Sequence, residues 1–225
     1  MKKIVIAGLL AAAASGAMAD GSFDGVNAQI GMGFANLGSD YTENYQNNAG
    51  TYSTTSNAKG GQNGMLGNIA IGYSYGFDKQ VNLAANVFYN FGSSNAGYLS
   101  GSDSDGVSGS VQSKLKNIWG ISVEPGYYFA DKSLGFVKLG WAMASTSGSF
   151  SGSESSGNVS MGTANGFLYG LGFKQLITDN VYVGIDAYQV AFSSKSSTMS
   201  DSSGNYQMSN KPNMTYGGIN LGYKF

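Results

Sequence analysis

Apolar side chains recur at every second position in eight separate segments of this chain, with small or polar residues between them. The last segment shows the pattern most sharply. Counting back from Phe225, Tyr223, Leu221 and Ile219 alternate with Lys224, Gly222, Asn220 and Gly218. A period of two is that of a β-strand with one apolar and one polar or small face. The other segments run from about Val26 to Phe34, Met65 to Phe77, Val81 to Phe91, Lys114 to Phe129, Leu134 to Ser145, Gly166 to Ile177 and Val181 to Phe192. Short turns at Asp78–Gln80, Ala130–Ser133 and Thr178–Asn180 alternate with long polar connections at Ala35–Gly64, Gly92–Ser113, Thr146–Asn165 and Ser193–Asn213.

An up-and-down meander of this kind closes when its first and last strands pair. In a transmembrane barrel the apolar face meets lipid and the small or polar face lines the lumen, with short turns at one end and long loops at the other. The expected fold class is therefore all-β: an eight-stranded antiparallel up-and-down transmembrane β-barrel with short periplasmic turns and four long extracellular loops. A soluble β-sandwich is the structural alternative. In the fourth segment Lys116 and Glu124 fall on the inward face, and Pro125 predicts a bulge or local break because it has no N–H for the ladder.

The N-terminus fits export. Met1-Lys2-Lys3 is basic, Ile4 to Ala14 is apolar, and Ala17-Met18-Ala19 is a small-x-small cleavage site, so residues 1–19 read as a signal peptide and 20–225 as the barrel domain. The apolar run is shorter than the roughly 20 residues of a membrane-spanning helix.

Composition removes whole classes of chemistry. The chain has no histidine and no cysteine, which excludes Ser-His-Asp hydrolysis and ordinary zinc or haem sites. No catalytic residue, metal ligand or cofactor is expected. A net charge of −1, more negative once Lys2 and Lys3 are removed, gives no electrostatic basis for binding nucleic acid. Asp103-Ser104-Asp105-Gly106 has the opening of a calcium loop but lacks its third acid and closing Glu, so it reads as a surface turn.

Glu124, Lys138, Lys174 and Asp186 stand on inward faces. A hairpin register places Glu124 opposite Lys138, and the next hairpin pairs Lys174 with Asp186. Paired buried charges either plug the lumen or gate a narrow ion path. Trp119 and Trp141 toward the loop ends, and Tyr75, Phe77, Tyr127, Phe129, Phe173, Tyr223 and Phe225 toward the turn ends, fit interfacial girdles better than ligand platforms. Tyr41, Tyr45, Tyr52, Tyr98 and Tyr206 lie in Ser/Gly/Asn-rich loops. That mixture suits either an adhesive surface or a solvated crown without a dedicated partner.

With the strand rhythm, Tyr223-x-Phe225 and Glu124-Pro125-Gly126-Tyr127-Tyr128-Phe129 in view, the chain resembles the small eight-stranded bacterial outer-membrane barrels of the OmpA, OmpX and opacity-protein type. The resemblance covers Asp20 to Phe225. It implies residence in the outer membrane of a Gram-negative bacterium, with loops outside the cell and contact with lipid and lipopolysaccharide. It also implies that Ile219, Leu221, Tyr223 and Phe225 form the signal read by the barrel-assembly machinery. A surface receptor or phage is a further possible partner. No peptidoglycan-binding domain of the OmpA kind follows the last strand, so cell-wall anchoring is not expected. An eight-stranded barrel is just wide enough for side chains to fill, which favours a closed structural or surface-contact protein. The alternative is a narrow channel for small or apolar solutes, as in OmpW-like proteins. Small barrel enzymes typically depend on histidine.

Overall fold

The structure is a computed structural model, and it describes residues 21–51, 53–77, 80–92, 94–102, 108–152, 156–200 and 204–225. Residues 1–19, read as a signal peptide, Tyr52, Asp78 and Lys79 of the first short turn, and Asp103–Gly106, read as a surface turn, lie outside the described residues. Among the described residues ten strands form one antiparallel sheet: β1 Gly25–Asn47, β2 Ser53–Gly76, β3 Val81–Phe91, β4 Ser94–Ser102, β5 Ser108–Ala130, β6 Ser133–Gly152, β7 Ser156–Leu176, β8 Val181–Phe192, β9 Lys195–Ser200 and β10 Gly204–Lys224. After the break at Gly92, β4 continues the pairing of β3 with β5, and β9 continues that of β8 with β10. The ten strands therefore make eight staves. β1 pairs β10 from Asn27↔Lys224 to Asn47↔Gly204, which closes the barrel and removes its edges.

The segments read from sequence as long loops are largely strand. β1 and β2 stay paired out to Gln46↔Ser53, and β6 and β7 out to Ser151↔Ser156. A ladder whose register is already fixed needs no apolar face to propagate, because its bonds are between backbones. Cross-strand side chains reinforce it: Asn36 donates to Asn63 at 2.7 Å, Thr42 to Asn57 at 2.9 Å and Thr55 to Asn44 at 2.8 Å.

The register of β5 against β6 shifts twice, between Lys116 and Trp119 and, at the turn end, between Tyr128 and Ala130. At the first shift Asn117 has a φ of 53°. An asparagine is among the few non-glycine residues that accept this conformation. The extra residue turns Lys116 outward and leaves Leu115 and Ile118 inward, which corrects the inward placement of Lys116. At Pro125 the strand continues without a bulge. Pairing with β6 lapses at Glu124 and Pro125 and resumes in unchanged register from Val123↔Leu139 to Gly126↔Phe136.

Side-chain burial follows the two-residue period. Along β3 and β8 buried residues alternate strictly with outward ones, most of them apolar. Outward residues such as Phe34 (73% exposed), Leu171 (67%) and Phe129 (70%) form an apolar belt around the barrel. At the turn end, i,i+2 neighbours stack edge to face in three places: Tyr75 with Phe77 at 5.2 Å, Tyr127 with Phe129 at 5.5 Å and Tyr223 with Phe225 at 5.0 Å.

Candidate functional site: a layered lumen

The inward faces fill the barrel in three layers. Toward the loops lies an apolar plug. Leu37 and Leu66 on β1 and β2, Leu115 and Ile118 on β5, Leu168 on β7, and Val190, Phe192 and Met214 on β8 and β10 are all buried in one cluster. Below it Tyr188 stacks on Tyr216 at 4.8 Å, and Asn90, itself accepting from Asn68, donates to the Tyr188 hydroxyl at 2.8 Å.

The middle layer holds the four inward charges. Glu124, Lys138, Lys174 and Asp186 come from β5, β6, β7 and β8, and all are buried. Lys138 Nζ sits 2.9 Å from Asp186 Oδ2 and 3.3 Å from Glu124 Oε1, while Lys174 Nζ sits 2.8 Å from Glu124 Oε2. Asn220 Nδ2 donates to Asp186 Oδ1 at 2.9 Å. The expected Glu124–Lys138 contact is present. The expected Lys174–Asp186 pair is not: Lys174 turns to Glu124, and Asp186 is bound by Lys138. The inward positions of β7 between Lys138 and Asp186 are glycines, Gly170 and Gly172, so no side chain obstructs the reach from β6 to β8. Both ammonium groups also lie against rings, Lys138 at 5.2 Å from Tyr188 and Lys174 at 4.7 Å from Phe136. Two cations balance two anions, which offsets a desolvation cost of several kcal/mol per ion.

The third layer caps the turn end. Phe23, Tyr128, Leu134, Leu176 and Tyr182 form a second buried cluster, with Phe23 edge-on to Tyr182 at 5.7 Å. The chain before β1 is tied into it. The Phe23 N–H donates to Tyr128 OH at 3.2 Å, Asn82 Nδ2 donates to the same oxygen at 3.2 Å, and Lys224 Nζ donates to the Ser22 carbonyl at 2.9 Å. Tyr182 also lies over Gly222, where any β-carbon would collide with its ring, so that position requires glycine.

The residues expected to signal assembly lie together on the outer face of β10 and its end. Ile219 and Leu221 oppose Met32 and Ile30 on β1, Tyr223 opposes Ala28, and Phe225 N–H donates to the Val26 carbonyl at 2.9 Å. Of the tyrosines assigned to loops, Tyr45 and Tyr206 are backbone partners in the β1–β10 ladder. Among the described residues no group of three or more His, Cys, Asp or Glu is placed to hold a metal ion.

Sequence reasoning missed the apolar plug and the Phe23 cap. Leu37, Leu66, Phe192 and Met214 lay in or beside segments assigned to loops, yet the inward period already ran through Ala35, Leu37 and Ser39. Phe23, one aromatic in a short polar stretch, carried no periodic signal.

No family model matches the sequence, and no curated protein matches it. Solved structures do resemble the fold. The outer-membrane protein OprG of Pseudomonas aeruginosa is 10% identical over 92% of this chain and 99% of its own, with a TM-score of 0.53. Ail, the attachment invasion locus protein of Yersinia pestis, solved with the heparin analogue sucrose octasulfate, is 14% identical over 89% of this chain and 99% of its own, with a TM-score of 0.36. The outer-membrane protease OmpT of Escherichia coli is 12% identical over 93% of this chain and 99% of its own, with a TM-score of 0.45. The chain has the fold of the small outer-membrane β-barrels.

Proposed function

We propose that this barrel is a closed, non-catalytic protein of the Gram-negative outer membrane, which spans the bilayer with its eight staves and acts through the surface it raises above it. The observation that carries this reading is the layered lumen. An apolar plug, a balanced ion network and an aromatic cap succeed one another along the axis, and each is built from buried side chains. A charged solute meets the apolar plug without compensation for its lost hydration. An apolar solute meets four charges held by one another. The exposed apolar belt supports the membrane setting, since alternate residues on every stave present hydrocarbon outward.

Strands that run on past the belt form a polar crown, and contact with surface partners falls to it. The barrel-assembly machinery is the partner of the Ile219-to-Phe225 strand end. With no histidine in the chain, histidine-based hydrolysis has no residue to carry it, and the lumenal carboxylates are each engaged by a lysine.

Planar-bilayer recording tests the reading. The refolded protein is expected to give no resolved current steps, and Lys138→Ala and Glu124→Gln are expected to give none either. Stable conductance that changes in Lys138→Ala would establish the narrow-channel alternative instead.

A further inference from the structure

We propose that Lys138 and Asp186 condense to an intramolecular amide, with Glu124 carrying the proton and Asn220 holding the carbonyl oxygen, so that a covalent bond ties β6 to β8 across the lumen. The bond is read by mass and the closed lumen by conductance, so the two readings fail separately.

A lysine and a carboxylate join when the amine touches the carboxyl, a base takes the ammonium proton and a donor holds the oxygen that becomes the carbonyl. Water that would reverse the reaction must also be kept out. Lys138 Nζ lies 2.9 Å from Asp186 Oδ2. The other oxygen, Oδ1, accepts from Asn220 Nδ2 at 2.9 Å, so a neutral donor already faces the atom on which charge develops. Glu124 Oε1 lies 3.3 Å from the same Nζ, and Lys174 holds its Oε2 at 2.8 Å. The Phe88 and Tyr188 rings stand 5.9 and 5.2 Å from Nζ, and Lys138, Asp186 and Glu124 are all buried between the apolar plug and the aromatic cap.

The step balances within the chain. Nζ passes one proton to Glu124 Oε1, and the freed amine attacks Cγ of Asp186, whose carboxyl turns on a soft terminal torsion. The C–N bond forms while negative charge gathers on Oδ1, opposite the Asn220 amide. Oδ2 then leaves as water, taking the proton that Glu124 returns and a second one from Nζ. Glu124 ends as it began, a carboxylate paired with Lys174. One cation and one anion disappear together, which favours the product in a medium that solvates ions poorly. Contact within one fold supplies an effective molarity of about 10⁵–10⁸ M. The reaction needs no oxidant, and a chain without cysteine has no disulfide to tie its strands.

The neighbouring pair lacks these parts. Lys174 also touches Glu124, but both Glu124 oxygens face lysines, and among the described residues Lys174 has no second carboxylate to take its proton. The crossing itself is open because β7 contributes only Gly170, the register partner of Lys138, and Gly172, that of Asp186.

Intact-mass spectrometry tests this on the barrel purified from membranes, with folding checked by heat-modifiable migration. The folded native chain is expected to weigh about 18 Da less than its sequence, the mass of one water. The same chain recovered unfolded in urea is expected at full mass. Trypsin is expected to leave the Lys138 and Asp186 peptides joined. Asp186→Asn is expected to lose about 17 Da instead, because ammonia replaces water as the leaving group; an ionic contact alone gives no mass change in either chain. Glu124→Gln is expected at full mass while folded. Full mass in the folded native chain would overturn the proposal, as would the native loss persisting in folded Glu124→Gln or in Lys138→Met. Conductance by a barrel that carries the joined peptides would support the bond and overturn the closed lumen alone.

Discussion

Lys138 is held by two carboxylates, Asp186 and Glu124, whereas Lys174 is held by Glu124 alone. Removing one partner from a buried pair strands the other charge in a medium that cannot solvate it, at a cost of about 3–5 kcal/mol. Lys138→Met is expected to lose an amount in that range, because Asp186 then keeps only the Asn220 amide. Lys174→Met is expected to lose less, since Glu124 still faces Lys138. Urea unfolding in detergent micelles measures both, and equal losses would show that the network is not centred on Lys138. The sequence showed that all four charges face inward, because parity along a strand decides that. It did not show their partners, because a contact from β6 to β8 depends on barrel curvature and on what β7 leaves unfilled. Lys116 was misplaced for a related reason: a single asparagine at φ 53° adds one residue and reverses the parity.

At the scale of the strand, β10 ends in an aromatic pair of the same geometry as the one that ends β5. Tyr223–Phe225 and Tyr127–Phe129 both sit edge to face, and Phe225 and Phe129 are each 70% exposed. A charged substitution near the membrane interface costs only about 0–1 kcal/mol, so the two positions are close to equivalent in folded-state energy. Phe225→Glu and Phe129→Glu therefore separate stability from recognition. Phe129→Glu is expected to accumulate in the outer membrane at near-native levels, and Phe225→Glu to fail in assembly, as read by heat-modifiable migration of membrane fractions. Equal behaviour would remove the assembly role of the β10 end. The strands were legible within the apolar belt, where lipid demands strict alternation. Above the belt, the same two-residue period continues in Asn, Thr, Ser and Gln, where both faces are polar and hydrophobic contrast vanishes. The extension of β1, β2, β6 and β7 was invisible for that reason.

For the whole molecule, closure is redundant along the axis, and this has a measurable consequence. The cap depends on a segment outside the barrel staves: residues 21–24 dock through Phe23 and through the Ser22 carbonyl. Phe23→Ala is expected to undock that segment by local unfolding, which is separate from unfolding of the barrel. Hydrogen exchange should then show lost protection at the Asp24 amide, which donates to the Gly21 carbonyl at 3.0 Å, while the amides of the barrel staves keep theirs. Conductance is expected to remain negligible in the same variant, because the apolar plug from Leu37 to Met214 lies at the other end of the lumen and shares no residue with the cap. Current steps on loss of Phe23 alone would mean that the cap is the barrier and the plug a vestibule, and the barrel would then be a channel closed at its periplasmic mouth.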